Sequence, residues 1–359
     1  LGNASEGKQA LFNRVSSDTV FCFICLMGCY LMGLLFPGYF NQVCFPVRLP
    51  AVRITVLYKC KPFNANLLQV RNGGILMNEN NLPGSAKVKQ SQDLVGHAAN
   101  DLIIIRTDKP LIHHITNFVV MNETANATLC IGALPVMAHA KEEVEEMVAV
   151  AGALVLNIGT LTPDLVDSMI IAGKKANELG IPVIFDPVGA GATSLRTEAC
   201  EKIMSSVKLS VIRGNRAEIG ILAGSGGTIK GVEAIGDSGD IQEIAKGFAT
   251  ATGAVISVTG PIDIVTNGTE TALISNGHAM MGTVTGTGCI STTMTASFAA
   301  VQPDAFLSAA GALVAYGIAG EIAALENDGK PGSFHAALYD ELYKLTPDII
   351  KERARIEIA

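Results

Sequence analysis

Charge is what this chain has least of. Asp, Glu, Lys and Arg make up 16% of its 359 residues, where about 25% is usual for a soluble domain. With 49% hydrophobic residues and 37 glycines, such a composition fits a β-sheet buried on both faces. The charge that is present is unevenly spread. Residues 1–100 carry nine Lys/Arg against four Asp/Glu, and the remainder carries 17 against 29. An acidic main body argues against nucleic acid as a partner, because phosphate backbones are held by Lys and Arg.

Metal-ligand clusters are also scarce. Five of the eight cysteines, Cys22, Cys25, Cys29, Cys44 and Cys60, lie in the first sixty residues, but no histidine stands near them and three sit in an apolar run. That argues against a zinc site. Cys130, Cys200 and Cys289 are scattered, which suits a reducing, cytoplasmic compartment better than a disulfide framework.

No charge at all occurs between Asp18 and Arg48. Inside that gap "VFCFICLMGCYLMGLLF", residues 20–36, is an unbroken apolar run closed by Pro37-Gly38. Its length sits at the bottom of the bilayer-spanning range of roughly 17–25 residues. Two readings stay open: a membrane anchor or uncleaved signal, or a stretch that is not native coding sequence. The chain opens on Leu rather than Met, which suggests a fragment or an imperfect gene model. Residues 41–89 show no sustained period and no repeat, so 1–88 is left as an unassigned N-terminal extension.

From about Lys89 the pattern changes, and 89–359 reads as one α/β domain. "ALVLNIG" (153–159), "PVIFD" (182–186), "KLSVIRGN" (208–215) and "AVISVTG" (254–260) are apolar strands. Helical segments separate them. Thr162 caps a helix with Pro163 at its first position, and that helix stops at Gly180. A second runs over 240–253, and 263–275 predicts a hairpin about Asn267-Gly268. Strand–helix alternation implies a mainly parallel sheet covered on both sides. Ligands in such sheets bind beyond the carboxyl ends of the strands. Here those ends read Asn157-Ile158-Gly159, Asp186-Pro187, Arg213-Gly214-Asn215 and Thr259-Gly260.

Those ends carry chemistry. Gly286-Thr287-Gly288 runs into a helix that starts with Cys289. Glycines let backbone N–H groups close on an anion, and a helix N-terminus adds partial positive charge. No Gly-Lys-Ser/Thr follows, which excludes a Walker loop; a plain tight turn is the competing reading. Asp186 ends a strand before a slim loop containing Gly189 and Gly191, where it is placed to hold Mg²⁺ directly or through water, or to cap the next turn. Arg213 is placed to reach nucleotide phosphates with its planar fork. Glu218 falls three residues after Asn215, which is also capping-box spacing. In "HHITNFVVMNETANATLCIGALPVMAHA" (113–140), the adjacent His113 and His114 point in different directions on an extended segment and are poor ligands for one metal. Met137 is either pocket lining or core filler.

Taken together, "HHITNFVVMNETAN", "GALPVMAHA", "LVLNIGTL", "FDPVGAGATSLRT", "VIRGNRAEI", "SVTGPIDIVTNG", "VTGTGC" and "GKPGSF" resemble the hydroxyethylthiazole kinase family, in order and spacing as well as composition. The resemblance runs from about Lys89 to the C-terminus. It implies a ribokinase-like three-layer α/β/α sandwich. It also implies transfer of the ATP γ-phosphate, with Mg²⁺, to the primary alcohol of 4-methyl-5-(2-hydroxyethyl)thiazole in thiamine salvage. Homotrimers with active sites between subunits are implied as well. By position, Met137 and Gly286 would contact the thiazole, and Arg213 and Thr259 the ATP. Gly286, Thr287 and Gly288 would cradle phosphate, and Asp186 and Glu218 would serve the Mg²⁺–phosphate region. Cys289 would sit beside the substrate hydroxyl, where ribokinase-like relatives carry Asp in "GxGD". A thiol at a helix N-terminus is expected to have a lowered pKa and to accept the proton late. The alternatives are a pyridoxal or hydroxymethylpyrimidine kinase of the same fold, or a non-catalytic, membrane-tethered homologue.

Overall fold

The computed structural model describes the backbone of four short strands between residues 45 and 77, and then residues 85–225 and 240–359. The apolar run at 20–36 lies outside the described residues. The chain divides into two units, Leu1–Ser85 and Ala86–Ala359. In the first, β1 (Phe45–Leu49) pairs antiparallel with β2 (Val52–Val56), and β3 (Leu68–Arg71) with β4 (Gly74–Met77).

The second unit is built on one nine-stranded sheet. Its chain order is α1 (Ser85–Asp108), β5 (Leu111–Ile115), α2 (Met121–Ile131), β6 (Leu134–Val136), α3 (Val144–Ala149), β7 (Ala153–Asn157), α4 (Pro163–Leu179), β8 (Val183–Asp186), α5 (Ser194–Ser206), β9 (Val211–Asn215), α6 (Arg216–Ser225), α7 (Ile241–Thr252) and β10 (Val255–Thr259). Then follow β11 (Asp263–Thr266), β12 (Thr271–Ile274), a 3₁₀ turn (Ala279–Thr283), α8 (Thr287–Ala299), α9 (Ala305–Asn327), α10 (Pro331–Lys344), α11 (Pro347–Arg353) and β13 (Ile356–Ile358). Across the sheet the order is β13-β12-β11-β10-β9-β8-β7-β5-β6. The strands from β6 to β10 run parallel, and β11, β12 and β13 are added antiparallel at one edge.

Alternation along each strand makes two cores. Val155, Ile184 and Val211 point to a layer holding α1, α2, α8, α9 and α10. Leu154, Leu156, Phe185 and Ile212 point to the opposite layer, with α4, α5, α6 and α7. Because β7 and β8 are buried on both faces, they read as continuous apolar runs. The result is the three-layer α/β/α sandwich that the resemblance implied.

Local signals act as the residue types require. Thr162 Oγ1 accepts the N–H of Leu165 (3.2 Å) at the start of α4, and Gly180, at φ +72°, ends it. Asp240 caps α7 in the same way. The hairpin β11–β12 pairs Thr266 with Thr271, with Gly268 at φ +94° in the turn. Helix α9 is long and apolar enough to cross a bilayer, yet most of it is buried among other helices. Its glycines permit that: a Cβ at Gly317 would stand 2.7 Å from the Asn276 backbone.

Candidate active site

The parallel strands deliver four polar residues to one end of the sheet. Register sets Asn157 of β7 beside Asp186 of β8, and Asn215 of β9 beside Thr259 of β10. The start of α8 joins them. Gly286 is its N-cap, at φ +89°, a conformation that glycine adopts without strain. Having no side chain, it leaves the first-turn N–H groups of Thr287, Gly288 and Cys289 without a side-chain cap. The Thr287 hydroxyl is spent on the carbonyls of Met281 (2.7 Å) and Val284 (3.1 Å), so Thr287 offers a ligand only its backbone. Tyr316 donates to the Thr287 carbonyl and fixes the turn from below.

Arg213 lies over this helix start. A Cβ at Gly288 would come within 3.1 Å of its Nη1, so the guanidinium and the helix N-terminus form one electropositive surface. Nη2 of Arg213 donates to Thr259 Oγ1 (2.6 Å), Nη1 is 3.8 Å from Asp186 Oδ2, and Nε is buried without a partner.

Asp186 is fully buried. Its Oδ2 accepts from Asn157 Nδ2 (2.9 Å) and from the Thr292 hydroxyl (2.8 Å), while Oδ1 has no partner. Burial pushes its pKa up to about 6, against the pull of Arg213 and Thr292; Glu218 adds to the rise. Asn157 also donates to Cys289 Sγ (3.3 Å), and its Oδ1 accepts from Asn117 Nδ2 (2.8 Å) and the Gly159 N–H (2.9 Å). Asn117 stands 3.6 Å from the same sulfur.

One expectation is corrected here. The Cys289 thiol is not acidified by its place at a helix start. Burial and the Asp186 carboxylate push its pKa up to about 11, and the hydrogen bonds from Asn157 and Asn117 and the charge of Arg213 offset this only in part. At neutral pH Cys289 is therefore a thiol and not a ready base.

Glu218 realises the capping-box spacing. Its Oε2 accepts the Asn215 N–H (2.8 Å), while Asn215 Oδ1 accepts the N–H groups of Ala217 and Glu218. Its Oε1 accepts the Gly189 N–H (2.8 Å), tying the loop after β8 to the start of α6. Arg196 ties the same loop to the one after β7 by donating to the carbonyls of Val188, Ile158 and Gly159.

A profile of the Hydroxyethylthiazole kinase family matches residues 102–348. The hydroxyethylthiazole kinase of Thermoanaerobacter pseudethanolicus is 58% identical over 257 residues, covering 71% of this chain and 97% of that protein. That of Desulforudis audaxviator is 54% identical, covering 72% and 94%. The chain belongs to the hydroxyethylthiazole kinase family. A solved structure of the hydroxyethylthiazole kinase protein from Pyrococcus horikoshii OT3 superposes with a TM-score of 0.67 at 43% identity, over 73% of this chain and 98% of that one.

Among the residues that the family resemblance singled out, Asp186, Arg213, Glu218, Thr259, Gly288 and Cys289 share one end of the sheet. Gly286 is held against the start of α2, where an added Cβ would meet Val120, its N-cap, at 3.1 Å and Glu123 at 3.6 Å. Met137 lies elsewhere. It follows β6, the edge strand, three strand spacings from β8, or roughly 14 Å. Thr292 and the hub role of Asn157 emerge only from the fold. The polar ends of β7 and β8 hinted at Asn157, but only strand register shows that its amide meets Asp186. Thr292 carries no local signal: it is one of several hydroxyl residues in an apolar helix.

Proposed function

We propose that this protein transfers the γ-phosphoryl group of ATP to the primary hydroxyl of 4-methyl-5-(2-hydroxyethyl)thiazole, as a kinase of thiamine salvage in the cytoplasm. The observation that carries this reading is the Arg213 guanidinium lying on Gly288 at the uncapped start of α8, with Cys289 and Asp186 next to it. An anion gripped there lies beside the position of an acceptor alcohol.

Arg213 and the amides of Thr287–Cys289 bind and orient the transferring phosphoryl group, and Thr259 holds the guanidinium in place. Their worth lies in being fixed before charge develops. The transition state is loose, so the alcohol needs little ionisation in advance. Cys289, kept as a thiol, orients the acceptor hydroxyl instead of deprotonating it.

The residues fit Mg²⁺. Asp186 Oδ1 is a buried carboxylate oxygen with no partner, and a hard cation bound by one or two carboxylates and substrate phosphates needs such a donor. We assign Asp186 to the ion and Glu218 to its surroundings through water. Bound there, Mg²⁺ supplies neutralising charge across the phosphates. Met137, at the sheet edge, is assigned to the thiazole site of a neighbouring copy in a homotrimer.

The test is ADP release by purified protein with Mg-ATP and a panel of alcohols. Turnover that depends on the hydroxyethylthiazole, and is far weaker with pyridoxal or hydroxymethylpyrimidine, supports the reading. Preference for either of the other two, or no turnover with any, contradicts it.

A further inference from the structure

The paired histidines of the sequence lie outside the strand-end cluster. In β5 their side chains point to opposite faces. His114 faces α8, where its Nε2 is 3.4 Å from the Thr293 hydroxyl. His113 faces the other way, fully buried, with Nε2 2.7 Å from the carbonyl oxygen of Ala138. A carbonyl oxygen only accepts, so His113 carries its proton on Nε2. Its Nδ1 is then a bare acceptor, buried with no partner. The next residue along makes a reciprocal tie: His139 Nε2 accepts the N–H of Thr116, just past β5 (3.3 Å).

These two bonds fall on one short segment. After β6 ends at Val136, the backbone is irregular from Met137 to Ala140. The imidazoles fasten it to β5 at two successive residues, immediately after Met137. His113 makes its bond at the cost of burying an unsatisfied ring nitrogen. Its one productive bond goes to the residue next to Met137.

We propose that His113 and His139 are positioning residues that clamp the segment following β6, so that Met137 is presented to the thiazole ring. This rests on the assignment of Met137 made above.

Steady-state kinetics on the full chain test it, with each substrate varied in turn. His113→Leu is expected to raise the KM for the thiazole alcohol about tenfold, with kcat and the KM for ATP within about twofold of wild type. Leu removes the orphaned nitrogen but leaves the buried Ala138 carbonyl without its donor, so the thermal midpoint is expected to fall by a few degrees. His113→Gln, whose amide N–H reaches as far as Nε2, should restore the thiazole KM. His139→Leu should act in the same direction, less strongly. A thiazole KM unchanged in His113→Leu overturns the proposal. So does a parallel rise in both KM values, which would mark a structural role. Met137→Lys separates the clamp from the kinase activity. An unchanged thiazole KM in that variant removes Met137 from the ring, and the clamp falls with it while the kinase reading stands. Wild-type protein that fails to phosphorylate the thiazole removes the kinase reading itself.

Discussion

Asn157 and Asp186 stand side by side in the register of two parallel strands, and the amide of the first donates to the carboxylate of the second at 2.9 Å. The same amide donates to Cys289 Sγ at 3.3 Å. One side chain thus spaces the carboxylate of Asp186 from the thiol of Cys289. Asn157→Leu keeps the volume and removes every one of these bonds, leaving Asp186, Asn117 and the Gly159 N–H short of partners. The variant is expected to lose about 2 kcal/mol of stability, read from urea unfolding, and to lose kcat more than ATP affinity. Unfolding indistinguishable from wild type would show that the hub is dispensable.

The thiol of Cys289 gives a pH-dependent readout. With its pKa pushed up to about 11, the reactive thiolate is rare at neutral pH and grows about tenfold with each pH unit below the pKa. Peptide-resolved alkylation of Cys289 should therefore accelerate steadily from pH 7 to pH 10. A rate that levels off near pH 7 would restore the acidic thiol that the helix start alone suggests. The same reasoning limits the cost of Cys289→Ala: kcat should fall by less than the roughly 10²–10⁴-fold typical of a lost general base.

Asp186 makes a prediction about stability. Its folded-state pKa is raised to about 6, above its unfolded value of about 3.9. The folded protein therefore holds this proton more tightly than the unfolded chain. The resulting stability is full below about pH 4 and is lost as pH rises through about 6. Asp186→Asn lacks this loss. In buffer free of Mg²⁺ and nucleotide, its stability relative to wild type should grow by roughly 2–3 kcal/mol between pH 4 and pH 7, while its turnover collapses. A gap that stays constant with pH, in denaturant titrations at each pH, would mean that the carboxylate is not penalised by burial.

Gly288 separates fold from function. Alanine favours a helix over glycine by about 1 kcal/mol, and φ at this position is not in the left-handed region. Yet a Cβ there would press on Arg213 at 3.1 Å. Gly288→Ala should leave the thermal midpoint at or near wild type and raise the KM for ATP several-fold. An unchanged KM would take the guanidinium out of nucleotide binding.

Much of this architecture was legible locally. Thr162, Pro163 and Gly180 bound α4 where their capping and turn preferences place them, and the strand ends that looked polar are the ones that meet. What was not legible depends on distance along the chain. The Cys289 thiol is pushed up by burial and then by the Asp186 carboxylate, and both arise from packing between distant stretches of sequence, so its helix position alone pointed the wrong way. Glu218 showed its capping spacing in sequence, but its second bond, to the Gly189 N–H, appears only when β8 and β9 are neighbours. Met137 has the opposite lesson: family resemblance marks it, while the single-chain fold keeps it at the sheet edge.

The most direct measurement is a crystal structure of the protein with a non-hydrolysable ATP analogue, Mg²⁺ and the thiazole alcohol. The expected result is the terminal phosphate against the N–H groups of Thr287, Gly288 and Cys289 and within hydrogen-bond reach of Arg213, with the alcohol oxygen next to Cys289 Sγ. A terminal phosphate bound away from the start of α8, with Arg213 still turned to Thr259 alone, would contradict it.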